Sequence, residues 1–198
     1  MGEREEGPSR RQWVLAGARA LAEGSVEAVK VERLAAKIGV SKAPFYWRFR
    51  DRQALLDAIL DYWREDQTQS LIHRVAPLAT PRARLDALIA LSLEAEIDGI
   101  DVAGIEGAIR AWAAQDESVA GFVAEVDALR VAYLSEQLAA LGAGATEAQP
   151  LAGGIYLTLI GLYTVRRYTP STAGDAAFAA IVGAALDDIE RRRGSEKS

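Results

Sequence analysis

Apolar residues recur every three or four positions along almost the whole chain, and no stretch rich in valine, isoleucine and threonine alternates with period two. The pattern predicts an all-α fold of about nine helices. Val14, Ala18 and Leu21 share one face of a first helix that Gly24 can end. Val31, Leu34, Ala35 and Ile38 follow at i, i+3, i+4 and i+7 in a short second helix stopping at Gly39. Ser41 is a good N-cap for a third, in which Phe45 and Phe49 lie one turn apart. A fourth starts near Asp51, carries Leu55, Leu56, Ile59, Leu60 and Trp63, and runs to about Arg74.

Pro77 and Pro81 then bracket a short connection, and the chain turns acidic beyond it. The later helices carry Leu85, Leu88 and Ile89; Ile105, Ile109 and Trp112; Phe122, Val126, Leu129 and Tyr133; and, last, Phe178, Ile181, Val182, Ala185 and Ile189. Residues 142–150 read as a loop, and 151–165 as a helix apolar all round, central in its domain or covered by another subunit. The expected organisation is a flexible tail over 1–9, a helix-turn-helix domain over 10–52, a connecting helix over 53–75, a C-terminal helical domain over 80–193 and a flexible tail over 194–198.

Charge sharpens this division. Residues 1–64 hold 12 Lys/Arg against 9 Asp/Glu, whereas 65–198 hold 11 against 19, so a chain of net charge -5 keeps its basic excess at one end. The absence of cysteine excludes disulfides, thiolate nucleophiles and cysteine-ligated metals. A single histidine, His73, excludes a multi-histidine metal site. Its place at the end of the fourth helix suits a cation facing the helix dipole better than a catalytic base. No cofactor or metal is expected. The first residues contain no apolar signal core, and the apolar run Leu151 to Val165 is 15 residues, shorter than the ~20 a bilayer needs. A soluble cytoplasmic protein without membrane contact is therefore expected.

The second helix, the Gly39–Val40 turn and the third helix form a helix-turn-helix: Leu34, Ala35, Ile38, Val40, Phe45 and Phe49 supply one small core, leaving Lys42, Tyr46, Trp47 and Arg48 to point elsewhere. From Lys37 to Arg52 the chain holds five basic residues and one acid. A basic face this dense in an acidic protein fits phosphate. Pro44 falls in the first turn of the third helix, where its missing N–H has no intrahelical partner. It either stiffens that turn or presents an apolar knob to a thymine methyl. Trp47 is open between a DNA-facing role and packing against a neighbouring helix.

The run VERLAAKIGVSKAPFYWRFRDRQALLDAIL resembles the DNA-binding domain of the TetR family of bacterial transcriptional regulators, over roughly residues 10–64. The resemblance implies a dimeric regulator that binds double-stranded operator DNA, typically a repressor released by a small-molecule inducer held in the C-terminal helices. It places Lys42, Ala43, Pro44, Tyr46, Trp47 and Arg48 in the major groove, with Tyr46 and Arg52 on backbone phosphate. Lys30 stands where the family often has a helix-capping threonine; lysine cannot cap but can reach phosphate by charge. With Ser41 at the helix start, these residues form the expected DNA-binding set. Lys42 and Arg48 could read guanine edges, at about 1–3 kcal/mol of discrimination each.

One recognition helix covers too little DNA for useful specificity, so a dimer is expected. Helices 151–168 and 175–192, apolar and rich in glycine and alanine, offer an isologous four-helix interface through Ile155, Leu159, Leu162, Phe178, Ile181, Val182 and Ala185. The resemblance implies the same pair of helices; helix 151–165 as a core helix of the monomer remains the alternative. For an apolar or aromatic inducer the candidates are Trp63, Arg110, Trp112, Tyr133, Tyr156 and Tyr163, with Glu94, Glu106 and Thr158 as further polar groups. An enzyme is disfavoured: Glu94 and Glu96 point apart on a helix, Asp187 and Asp188 are adjacent on a solvated face, and no phosphate-binding loop occurs. A helix-turn-helix kept only for protein interaction or ligand sensing is the competing reading.

Overall fold

Ser9 starts the first helix through a reciprocal cap, its hydroxyl accepting from the Gln12 N–H while Gln12 Oε1 accepts from the Ser9 N–H. The computed structural model, which describes residues 7–144, 146–169, 171 and 174–195, is helical almost throughout. Its elements are α1 (Arg10–Glu23), a 3₁₀ turn (Val26–Ala28), α2 (Val31–Ile38), α3 (Ala43–Tyr46), α4 (Arg52–Arg64), a π turn (Glu65–Gln69) and α5 (Ser70–Val75). After these come α6 (Pro81–Ser92), the strands β1 (Glu96–Ile97) and β2 (Ile100–Asp101), α7 (Val102–Ala113), α8 (Glu117–Leu141), α9 (Ala148–Tyr168) and α10 (Asp175–Ser195). The all-α expectation holds, and the single helix expected from Asp51 to about Arg74 is α4, the π turn and α5 in succession.

Several local readings change. Lys42, whose side chain makes no capping hydrogen bond, occupies the N-cap of α3, so Ser41 does not cap it. α9 begins at Ala148, shortening the loop expected over 142–150; Pro150 falls in its first turn, where no intrahelical N–H is lost. Of the expected tails, Pro8 is buried, Ser9 caps α1, and Gly194 and Ser195 continue α10, while residues 1–6 and 196–198 lie outside the described residues. The pair β1–β2 is an antiparallel hairpin turned by Asp98 and Gly99 at φ 55° and 69°. Asp-Gly between apolar residues is the usual signal for such a turn, and the helical reading passed over it.

The chain falls into two compact units that do not follow chain order: one runs to Gln67 and adds Ala95–Ala120, the other joins Thr68–Glu94 to the residues from Gly121 onward. In the first, α1 packs on α2, α4 and α7 around the fully buried Trp13, Leu21, Leu34, Phe45, Leu55, Ile59, Trp63, Ile105 and Ile109. The approach of α7 to α1 requires Gly104, because a Cβ there would lie 2.7 Å from Asp101 Oδ2 and 3.0 Å from the Ala22 carbonyl. The hairpin is tied to α1: Arg19 donates to the carbonyls of Gly99 at 3.1 Å and Asp98 at 2.9 Å, and Arg11 bridges Asp66 and Asp98 at 2.8 Å each.

In the second unit, Leu85, Leu138, Ala152, Tyr156, Phe178, Val182, Leu186 and Ile189 share one core formed by α6, α8, α9 and α10. Arg82 clamps α6 to α10 by contacts to Asp187 at 2.6 Å and Glu190 at 2.8 Å. α9 is 21 residues long, longer than the apolar run of 15 within it, and by length and composition alone meets the measure of a membrane span. Its inner face, through Ala152, Ile155, Tyr156 and Leu162, packs into this core.

Candidate nucleic-acid interface

α2 ends because Gly39 takes the left-handed conformation at φ 82°, letting the Gly39 and Val40 N–H groups return to the carbonyls of Ala36 and Ala35 at 3.2 and 3.0 Å. The turn leads the chain into α3, and the aromatic pattern fixes the orientation of that helix. Phe45 is fully buried, edge-on to Trp13 at 5.3 Å and stacked on Phe49 at 5.3 Å. With Phe45 and Phe49 inside, Tyr46 and Trp47 must face out, and they are 59% and 72% exposed. Lys42, Ala43 and Arg48 are exposed as well, and Pro44 is half-buried, so the outward set expected from sequence is solvent-accessible apart from part of Pro44. The packing alternative for Trp47 fails on that exposure.

The cations of this surface are engaged inside the molecule. Lys42 Nζ meets Glu32 at 3.0 Å and Lys37 meets Glu23 at 2.7 Å. Arg50 pairs with Asp51 at 2.8 Å, and Arg48 Nε lies 3.4 Å from the Pro8 carbonyl. Arg52 departs most from its expected place: its guanidinium donates to the carbonyls of Val29 at 2.7 Å and of Val26, tying α4 to the turn before α2. Lys30 is exposed at the N-cap position of α2 and makes no capping bond. The acids that sequence reasoning missed are Glu23 and Glu32, whose partners lie 14 and 10 positions away. The Glu32 carboxyl is held below the ordinary range by its own backbone N–H and by Lys42. Asp51 is held low by the Ala54 N–H it caps and by Arg50.

The six candidate ligand contacts divide between the units, which separates them into two groups. Trp63, Arg110 and Trp112 belong to the first, where the buried Glu106 carboxylate accepts from Trp63 Nε1 at 3.1 Å and from Arg110 Nε at 2.8 Å. Tyr133, Tyr156 and Tyr163 belong to the second. There the Tyr156 hydroxyl donates to Asp127 at 2.6 Å and accepts from Arg130 at 3.3 Å, and the Tyr163 hydroxyl donates to the Ser92 carbonyl at 2.5 Å. Tyr133 is different: its hydroxyl is buried with no hydrogen-bond partner, and burial raises its pKa. Glu94 is exposed at the end of the second unit's first segment, and the exposed Thr158 donates to the Gly154 carbonyl at 2.8 Å.

Of the expected interface residues, Ile155, Leu162, Phe178 and Val182 are buried in the second unit's own core, and Leu159 packs partly against it. Ala185 is half-buried, whereas Ile181 is 62% exposed. The unpartnered apolar face of α9 lies on the side of the helix opposite the expected one. Leu157 and Tyr168 are 71% and 74% exposed, and a Cβ at Gly154 or Gly161 would meet open space. On α10 it continues through the exposed Ala177, Ala180, Ile181 and Ala184.

Comparison with known proteins bears on both units. Residues 14–59 match the family model of the bacterial regulatory proteins of the tetR family. No curated protein matches the chain. Among solved structures, a TetR-family transcriptional regulator from Streptomyces coelicolor is 16% identical, with a TM-score of 0.73 over 96% of this chain and 98% of its own. A transcriptional regulator from Rhodococcus sp. Rha1 is 19% identical, with a TM-score of 0.72 over 93% and 97%. A Saccharomonospora viridis protein assigned as a transcriptional regulator, solved in complex with choline, is 15% identical, with a TM-score of 0.75 over 90% and 93%. These likenesses extend the shared fold beyond the matched domain to nearly the whole chain.

Proposed function

Starting from an N-terminal domain of the tetR family of bacterial regulatory proteins, we propose that this chain is a cytoplasmic transcriptional regulator that binds operator DNA as a homodimer and is released by a small molecule. The observation that carries the reading is the outward set Lys42, Ala43, Tyr46 and Trp47, presented by a short helix whose Phe45 is locked inward. An exposed tryptophan beside an exposed tyrosine has no folding role to explain it, whereas a groove offers base edges, methyl groups and sugars. Pro44 lies in the same turn and Lys30 at the start of α2, within the same helix-turn-helix. Arg52 supports the scaffold rather than a phosphate, and Arg48 is tethered toward Pro8.

The exposed apolar faces of α9 and α10 support the homodimer, since glycines and alanines beside Leu157 and Ile181 let two helix pairs approach closely. That partner also accounts for the apolar outer face of α9 without a membrane. The inducer is assigned to the second unit, where the buried Tyr133 hydroxyl can donate to an acceptor on an otherwise apolar or aromatic molecule. Choline in the Saccharomonospora viridis protein is consistent with a small-molecule site in this fold. To shift the population from 1:99 to 99:1 the inducer must favour the DNA-incompetent arrangement by about 5.5 kcal/mol. The reading is a regulator rather than an enzyme: the buried carboxylate Glu106 is already held by Trp63 and Arg110.

The test is fluorescence anisotropy of the purified protein against the DNA flanking its own gene and against a scrambled duplex, at two salt concentrations. Tight binding confined to the flanking DNA is expected. Equal, weak binding to both, with selection from random-sequence DNA also enriching nothing, overturns operator binding in favour of a retained interaction module.

A further inference from the structure

Glu32 is an acid placed where a DNA-binding surface has least use for one. It lies in the first turn of α2, and its carboxylate reaches across the turn to Lys42 at the N-cap of α3, 3.0 Å away. Both side chains are solvated, at 65% and 53% exposure, so the pair adds little to stability. Its charge nevertheless opposes the approach of phosphates, which are the source of sequence-independent affinity. A lysine on a flexible four-carbon stem would otherwise pair with whichever phosphate came within reach.

We propose that Glu32 is a positioning residue for specificity: by holding Lys42 it withdraws that cation from indiscriminate phosphate contact and reserves it for one base edge of the operator. The inference rests on the DNA-binding reading above. Glu23 and Asp51 hold Lys37 and Arg50 in the same way, but Lys42 alone of these three cations stands at the start of the recognition helix.

The experiment compares the full-length protein with Glu32→Gln, Lys42→Met and the double variant, against a duplex selected from random-sequence DNA and against its scrambled form, over a salt series. Glu32→Gln is expected to tighten scrambled-duplex binding several-fold. It should steepen the dependence of log affinity on log salt by about 0.9, the release of one phosphate's counterion. The selected duplex should gain less, so the selectivity ratio falls. In the Lys42→Met background the same substitution should leave the slope unchanged, because no lysine remains to be freed. An unchanged slope and ratio in Glu32→Gln overturns the inference. So does an equal increment with and without Lys42, which marks a general charge effect. If no sequence is enriched and wild-type binding lacks salt dependence, the DNA-binding reading falls, and this inference with it; thermal melting confirms that each variant is folded.

Discussion

The Arg52 guanidinium donates to the Val29 carbonyl at 2.7 Å and also to that of Val26, so a residue at the start of α4 closes the backbone that delivers the chain into α2. The Val29 carbonyl lies at the exit of the 3₁₀ turn, and the Val26 carbonyl, which also accepts from the Val29 N–H at 3.3 Å, lies within it. Arg52→Ala is therefore expected to destabilise the protein by about 1.5–3 kcal/mol, the usual worth of hydrogen bonds to a charged group. Chemical denaturation measures this directly. A variant of wild-type stability whose DNA affinity falls equally for all sequences would return Arg52 to the phosphate role.

Neighbouring aromatics of α3 divide stability from binding. Phe45→Ala empties a site at the centre of the first unit and should cost about 3–5 kcal/mol. Trp47→Ala, at a side chain 72% exposed, should change stability by no more than about 0.5 kcal/mol and yet abolish preference for the selected duplex. Melting curves and anisotropy on the same two proteins check both halves. A Trp47→Ala protein that discriminates as well as wild type would remove the residue from the interface.

The inward placing of Phe45 and Phe49 was legible in the sequence because they are spaced one turn apart and Gly39 marks the left-handed stop before them, whereas the pattern left Trp47 open. The role of Arg52 was not, since its acceptors are backbone carbonyls 23 and 26 positions away, which carry no side-chain signature. α9 shows a different limit. Ile155 and Leu162 face the core and Leu157 faces out, yet all three are aliphatic, so periodicity could not tell the face of α9 that packs within the chain from the face left exposed. Residues 95–120 group with the N-terminal unit through Gly104 and the hairpin, close approaches that a one-dimensional pattern does not record.

Alkaline pH should weaken the first unit. Burial pushes the Tyr62 hydroxyl up to about 12, with the nearby Asp98 charge acting in the same direction and the Gln67 hydrogen bond opposing it. In the unfolded chain the same group loses its proton near pH 10. Between these values the folded state binds more protons than the unfolded, so stability is fully present below about pH 10 and declines as pH rises toward 12. The loss should reach ~2–3 kcal/mol at the upper end. Denaturant midpoints at several pH values test this, with Tyr62→Phe expected to flatten most of the slope. An unaltered slope in that variant would assign the alkaline loss to other groups, Tyr133 among them.

The outer face of α9 and α10 predicts how the protein associates. Ile181 and Leu157 are exposed in the single chain, and Leu162 lies in its core, so the three positions separate association from folding. Ile181→Asp and Leu157→Asp place a charge where a second copy would bury it, which costs several kcal/mol without a partner. Each should give a folded monomer by light scattering, with melting that no longer depends on protein concentration. Leu162→Ala should instead lower stability by about 2–5 kcal/mol through a cavity. Because two recognition helices must engage the DNA together, the two aspartate variants should also lose tight binding to the selected duplex. A dimer that survives both substitutions would place the interface on another face of the second unit.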